Sequence, residues 1–150
     1  TETQMADLLR EVRRRFDFCL LDAPAGLGRG FQLATCAADR CAVVTTADAS
    51  SLRDAQHTVM ELDRFPAGAL HLVVNRVRKK LLRQLHATID DAIDKAGLPL
   101  LGVVPEDDAL PLCMNRGVPI LLADGQSAAS AYRNIAKRLQ GERVPLLRIR

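Results

Sequence analysis

The sequence contains few aromatic residues and little net charge. Aromatic side chains make up 3% of the 150 residues, with no tryptophan, and the formal net charge is only +3. Without a row of aromatic rings, the chain has no platforms on which single-stranded bases could stack. Basic clusters at residues 13–15 and 76–80 are separated by scattered acidic residues, so no single charged surface is indicated. We therefore expect no specific binding to nucleic acid.

Zinc-type cysteine spacing and long apolar runs are also absent. The cysteines, Cys19, Cys36, Cys41 and Cys113, do not have the short paired spacing of a zinc site. We expect four reduced and mostly buried thiols. The sequence shows neither a secretory leader nor an apolar run of membrane length, so we expect a cytoplasmic protein.

Short apolar runs that are bounded by turn residues alternate with helical patterns along the chain. Such runs are typical of strands buried on both faces of a parallel sheet, and they are FDFCLLD (16–22), RCAVVTT (40–46), LHLVVN (70–75) and PLLGVV (99–104). VPILLA, from Val118, predicts either a fifth strand or an extended segment. The 48% hydrophobic content supplies the core of one domain. We expect an α/β fold with a mostly parallel sheet, helices on both faces, and ligands at the carboxyl edge of the strands.

Apolar residues at helical spacing predict the helices between these strands. The first helix covers about residues 3–15, and another begins near Phe31 after the turn GLGRG. Ser50 or Ser51 is expected to cap a helix that ends at Phe65-Pro66. Two further apolar stripes stop at Gly97 and Gly141, and their members are Leu82, Leu85, Ile89 and Ile93, then Ala128, Tyr132, Ile135 and Leu139.

Asp22 ends the first apolar run and is followed by the turn of Pro24, Ala25 and Gly26. One carboxylate at the carboxyl edge of a sheet is sufficient for Mg²⁺, which keeps several of its waters when bound to protein. The alternative interpretation is that Asp22 only begins a turn. A phosphate-binding GxxxxGK[ST] loop would favour the first interpretation, but the sequence has none, and GLGRG (26–30) lacks both the lysine and the hydroxyl.

Five stretches resemble, in the same order, the later part of MinD-type ATPases. They are FDFCLLDAPAGLGRGF, ADASSLRDAQ, LVVNRVR, LLGVVPEDDALPLCMNRGVPILL and SAYRNIAKRLQGERVPL, and the resemblance runs over essentially all 150 residues. These ATPases belong to the deviant P-loop group that also includes the ParA partitioning proteins. The resemblance implies that residues 1–150 are the C-terminal part of a single P-loop NTPase-like domain, whose first half, with the phosphate loop, lies outside the chain.

The resemblance also assigns roles to particular residues. Asp22 matches an acidic residue associated with Mg²⁺ through water, and Pro24, Ala25 and Gly26 match a second switch loop. Nucleotide-binding positions are implied at Asn75, Arg76, Pro105, Glu106 and Asp107, with the Asn75 amide facing adenine. Arg53 and Asp54 match a partner surface, and no catalytic residue is implied in this chain.

Each of these motifs also has a purely structural interpretation. Asn75 can simply end a strand, and the PEDD segment (105–108) can start a helix. SSLRD (50–54) can be a helix cap followed by surface charges. From the residues alone these alternatives stay open.

The function implied by the resemblance is an ATP-dependent dimerisation switch in the choice of the cell-division site. The complete protein would hydrolyse Mg-ATP, whereas the chain alone would be inactive because it lacks the phosphate cradle. A homodimer, MinC-like and MinE-like partners, and peripheral attachment to the inner membrane through a C-terminal helix are implied. The terminal VPLLRIR (144–150) is too short for such a helix. The alternatives are a non-catalytic interaction module of the same fold, or a ParA-like or flagellar-number regulator.

Overall fold

A three-stranded parallel sheet forms the centre of the chain. The structure is a computed structural model that describes residues 1–84, 88–123 and 127–147. The sheet has the order β1 (Cys41–Thr45), β2 (Leu70–Val77) and β3 (Leu100–Pro105). All three strands come from predicted apolar runs, and their parallel pairing confirms the α/β fold class.

The helices lie between and around these strands. They are α1 (Glu2–Arg13), α2 (Arg29–Thr35), α3 (Ala49–Met60), α4 (Lys79–Gln84), α5 (Ile89–Ala96), α6 (Ala109–Asn115) and α7 (Ser127–Leu139), with a 3₁₀ turn at Ile120–Leu122. The predicted helices at the start of the chain, near Phe31 and before Gly141 are confirmed, as is the predicted helix end at Gly97. No helix within the described ranges has both the length and the apolar character needed to cross a membrane.

Both faces of the sheet are covered by helices, because successive residues of a strand point to opposite faces. On one face, Leu72 and Val74 of β2 pack with α3 and α5 in a buried cluster. On the other face, Val73 packs with Leu101, Val104 and the alanines of α7. Helix α7 lies so close to β3 that a Cβ at Gly102 would overlap the Ile135 side chain. The predicted covering of both faces is therefore confirmed.

The segment 16–22, which was predicted to be the first strand, has no regular secondary structure. Its alternate side chains Phe16, Phe18 and Leu20 are 64%, 69% and 90% exposed. A strand needs a neighbour to satisfy its backbone N–H and C=O groups, and no strand of the described ranges pairs with this segment. The strand prediction is wrong for this structure because the apolar pattern alone does not supply the hydrogen-bonding partner.

Three further predictions of local structure are also wrong. Asp48, rather than Ser50 or Ser51, caps α3. The fifth-strand alternative from Val118 fails because residues 120–122 form the 3₁₀ turn. The stripe from Leu82 to Ile93 is divided between α4 and α5, since Thr88 begins a new helix through a capping box with Asp91. Leu85 of that stripe lies outside the described residues.

The four thiols are free, but none is fully buried. Cys19 is exposed, and Cys36, Cys41 and Cys113 are partly exposed. Cys19 is exposed because it belongs to the unpaired segment 16–22. The expectation of mostly buried thiols is therefore wrong.

Candidate functional site

The carboxyl ends of the three strands enclose a cavity of about 310 Å³. Parallel strands end at the same edge of the sheet, and ligands of α/β proteins bind at that edge. The cavity is lined by the residues that follow β1, by the end of β2 with α4, and by one residue after β3: Thr46, Ala47 and Asp48, then Arg76, Val77, Arg78, Leu81 and Leu82, then Glu106. Of the predicted nucleotide-binding residues, Arg76 and Glu106 line it.

The turn after β1 brings a carboxylate to the cavity wall. Asp48 caps α3 by accepting a hydrogen bond from the Ser51 amide at 3.0 Å, and it accepts another from the Thr46 hydroxyl at 2.5 Å. The Thr46 bond, followed by the Ser51 amide and hydroxyl, lowers the pKa of Asp48 to about 2. The cavity wall therefore carries a fixed negative charge at neutral pH.

The end of β2 has an unusual backbone conformation. Arg76 has φ of +54°, and among the described residues it is the one non-glycine residue with a positive φ. Its amide donates to Oδ1 of the preceding Asn75 at 2.9 Å. The left-handed region costs a side-chain-bearing residue roughly 1–2 kcal/mol, so neighbouring interactions must hold Arg76 there.

Glu106, the residue that follows β3, supplies such interactions. Its carboxylate forms ion pairs with Arg76 Nη2 at 3.3 Å and with Arg78 Nε, and its own amide donates to the Val77 carbonyl at 3.1 Å. The Glu106 side chain is only 19% exposed, whereas the two arginines are 69% and 61% exposed. Glu106 therefore ties the loop that follows β2 to the end of β3.

Pro105 and Asp107 lie on either side of Glu106 and connect the end of β3 to the rest of the fold. Pro105 is the buried last residue of β3. Asp107 accepts hydrogen bonds from the Ala128 and Ala109 amides, each at 3.1 Å, and from the Ser127 hydroxyl at 3.3 Å. Desolvation alone would raise the pKa of Asp107, but these donors outweigh it and the pKa lies below its ordinary value. Asp107 thus joins the loop after β3 to the start of α7.

The predicted magnesium and switch residues lie apart from the cavity lining. Asp22, Pro24, Ala25 and Gly26 are all exposed and none of them lines the cavity. Gly26 has φ of +88°, a conformation that favours glycine, and Pro24 packs against Gly30. Within the described residues no three His, Cys, Asp or Glu side chains come together to hold a metal. A solvent-exposed single carboxylate fits the hydrated way in which proteins bind Mg²⁺.

Arg53 and Asp54 occupy the outer face of α3. Both are exposed, while their neighbours Leu52 and Ala55 are buried against the sheet. Two charged side chains are thus available for contact with another molecule.

Sequence reasoning missed most of the residues that line the cavity. Those not anticipated are Thr46, Ala47, Asp48, Val77, Arg78, Leu81 and Leu82. The expectation that ligands bind at the carboxyl edge, applied to the ends of β1 and β2 as well, would have found Thr46 to Asp48 and Arg78.

Several known proteins are similar to this chain. The septum site-determining protein MinD of Bacillus subtilis is 37% identical over 145 residues, which cover 95% of this chain and 54% of that protein. The solved structure of the MinD cell division protein of Aquifex aeolicus superposes with a TM-score of 0.91 at 30% identity, covering 99% of this chain and 64% of that one. The chain spans about half the length of the curated relatives it matches.

Two further solved structures contain binding partners. A MinC:MinD complex from Aquifex aeolicus matches with a TM-score of 0.91 at 30% identity, over 99% of this chain and 62% of the other. MinD from Pyrococcus horikoshii, complexed with Mg-ADP, matches with a TM-score of 0.78 at 25% identity, over 93% and 56%.

The parallel sheet and these relatives define the class of the chain: it belongs with the MinD-type proteins of the ParA/MinD superfamily. Within that class, the family model that matches residues 1–139 is described as cellulose biosynthesis protein BcsQ. The chain belongs to that family.

Proposed function

We propose that this chain forms the adenine-recognising half of a MinD-type ATPase that acts as an ATP-dependent dimerisation switch. The observation that carries the proposal is the ion pair between Arg76 and Glu106, which both line the cavity at the carboxyl edge of the sheet, with Asn75 directly before Arg76 in the chain. A relative of the same fold is described in complex with Mg-ADP. On this proposal residues 1–150 are the C-terminal part of one nucleotide-binding domain.

In this proposal each site residue has a distinct role. The Asn75 amide can both donate to and accept from an adenine edge. The next residue, Arg76, borders the cavity. Pro105, Glu106 and Asp107 form the loop on the other side of the base. Bound Mg²⁺ would neutralise phosphate charge, and Asp22 would hold it through a water. The exposed turn Pro24–Gly26 would respond to the terminal phosphate.

The chain by itself should not hydrolyse ATP. Its sequence contains no GxxxxGK[ST] loop, and that loop supplies most of the positioning and charge neutralisation in phosphoryl transfer. The expected phosphate release from the isolated chain with Mg-ATP is at background level. Turnover close to that of an intact MinD would contradict this part of the proposal.

Isothermal titration of Mg-ADP into the complete protein, with Asn75→Ala and Asn115→Ala variants, tests the nucleotide site. Loss of a specific hydrogen-bond pair to the base should weaken binding about tenfold in Asn75→Ala. Asn115, exposed at the end of α6, is the matched control and should bind like the wild type. Equal binding by all three proteins would remove Asn75 from the site, whereas no binding by any would favour the non-catalytic interaction module.

We further propose that the outer face of α3 contacts protein partners. The relative from Aquifex aeolicus is described in a complex with MinC, and Arg53 and Asp54 are exposed. The proposed interactions are homodimerisation and binding of MinC-like and MinE-like partners. We also propose that the complete protein is cytoplasmic and attaches peripherally to the inner membrane through a C-terminal helix. Arg53→Glu should reduce capture of a MinC-like partner, and Lys137→Glu on α7 should not.

A second candidate function is that the same nucleotide switch acts in cellulose synthesis. The match of the BcsQ family model to residues 1–139 favours it. Replacing the native gene with the Asn75→Ala form separates the two roles. A misplaced division site with normal cellulose yield supports septum placement, and the reverse supports cellulose synthesis; a ParA-like or flagellar-number role would leave both unchanged.

A further inference from the structure

The hydrogen bond between Arg76 N and Asn75 Oδ1 fixes which end of the Asn75 amide is the acceptor. At 2.9 Å the backbone N–H faces the carbonyl oxygen. Turning the amide over would place its NH₂ group against another donor, which is unfavourable. Both hydrogens of Nδ2 and one lone pair of Oδ1 therefore stay available in a defined arrangement.

This arrangement depends on the left-handed conformation of Arg76. When the chain on both sides is held in place, φ of Arg76 can leave +54° only if the peptide plane between Asn75 and Arg76 rotates, and that rotation would swing the Arg76 N–H away from Asn75 Oδ1. Glu106 opposes such a change because its carboxylate binds Arg76 Nη2 and Arg78 Nε, and its amide binds the Val77 carbonyl. The largely shielded Glu106 thus holds three consecutive residues that follow Asn75.

The orientation of an amide decides which purine it can pair with. Adenine presents an amino donor beside a ring-nitrogen acceptor, whereas guanine presents a carbonyl acceptor at the same position. An amide whose oxygen is held toward the adenine amino group would place that oxygen against the guanine carbonyl. Unpaired or repelled polar groups in a site cost far more than a simple loss of contact.

We propose that Glu106 is a positioning residue that, through Arg76, holds the Asn75 amide in the orientation that selects adenine over guanine. The inference rests on the proposed nucleotide-binding function and adds the source of base selectivity. Neither Glu106 nor Arg76 needs to contact the base for this effect.

The test compares dissociation constants for Mg-ADP and Mg-GDP in the complete protein. Both ligands share the diphosphate, so general damage to the site weakens both equally, whereas loss of orientation changes their ratio. Glu106→Gln keeps the side-chain shape but weakens both ion pairs, and it should reduce the preference for ADP about tenfold. Glu11→Gln removes an exposed carboxylate paired with Arg14 on α1, and this control should leave the preference unchanged.

A second pair of variants separates backbone conformation from charge. Arg76→Gly and Arg76→Ala both remove the ion pair with Glu106, but glycine accepts a positive φ without strain and alanine does not. The Gly variant should therefore retain more of the ADP preference than the Ala variant. An unchanged ratio in Glu106→Gln, or equal ratios in the Gly and Ala variants, would overturn the inference while leaving nucleotide binding intact. Failure of the wild type to bind ADP would overturn the proposed function together with it.

Discussion

At the scale of a single residue, Asp48 both caps helix α3 and gives the cavity wall its negative charge. Its carboxylate accepts from the Ser51 amide and the Thr46 hydroxyl. Removing a capping carboxylate costs about 1 kcal/mol of stability, so Asp48→Ala should lower the free energy of unfolding by that amount. Asparagine caps helices about as well as aspartate, and Asp48→Asn should keep most of the stability. Urea denaturation at pH 7 measures both changes.

The acid dependence of stability follows from the same residue. The pKa of Asp48 in the folded chain is about 2, below the value of about 3.9 expected in the unfolded chain. The ionised form is therefore favoured by folding, and its contribution is present above about pH 4 and disappears as the pH falls toward 2. The stability difference between wild type and Asp48→Ala should shrink over this window. A difference that stays constant from pH 5 to pH 2 would contradict the assignment.

Gly102 is required by the close approach of α7 to β3. A Cβ at this position would overlap the Ile135 side chain, although the backbone of Gly102 needs no positive φ. Overpacking of this kind costs about 1–3 kcal/mol, so Gly102→Ala should be destabilising by that much. In an Ile135→Ala background the same substitution should cost much less, because the clashing atoms are gone. Thermal unfolding of the four proteins forms the double-mutant cycle, and simple additivity would show that Ile135 is not the cause.

At the scale of elements, an apolar run correctly predicts a strand where another strand of the same chain pairs with it. β1, β2 and β3 were predictable because each apolar run has a partner within the chain. The segment 16–22 carries an equally strong apolar pattern, but periodicity does not show whether a hydrogen-bonding neighbour exists. The start of α5 could have been read from the capping-box sequence at Thr88 and Asp91, which the longer apolar stripe obscured.

The candidate site divides in the same way. Asn75, Pro105 and Glu106 stand at strand ends, which local sequence reveals. The positive φ of Arg76 and the ion pairs of Glu106 depend on the register between β2 and β3, where the pairing is irregular between Val74 and Val77. Tertiary pairing of this kind leaves no signal in a single sequence.

For the exposed segment 16–22, we expect one substitution to improve the isolated chain's solubility and to reduce the complete protein's stability. Leu20 is 90% exposed, so Leu20→Ser should raise the solubility of the isolated chain by removing an adhesive apolar side chain. In the complete protein proposed above, the same run would form a buried strand, and the change should cost about 3 kcal/mol. Met60→Ser on α3, also exposed, is the control and should not destabilise the complete protein. Leu20→Ser without effect on the complete protein would show that this run stays outside its core.

At the scale of the whole molecule, two exposed features could contact a further strand. β1 pairs with β2 along one edge and has no described strand along the other, and the Val44 side chain on one face of β1 is 61% exposed. Open edges and apolar segments such as Phe16–Leu20 favour pairing with further strands. The relatives are about twice as long as this chain, which is enough polypeptide to supply them.

Co-expression of this chain with the separate first half of the proposed complete protein tests that relation. The two halves should elute together in size-exclusion chromatography and release phosphate from Mg-ATP, because the phosphate loop and the adenine pocket would then belong to one sheet. A first half in which the phosphate-loop lysine is replaced by alanine is the matched control, and it should assemble without hydrolysing ATP. If the halves elute separately, the exposed edge of β1 and the segment 16–22 serve another partner. Co-elution without phosphate release would contradict the shared nucleotide site instead.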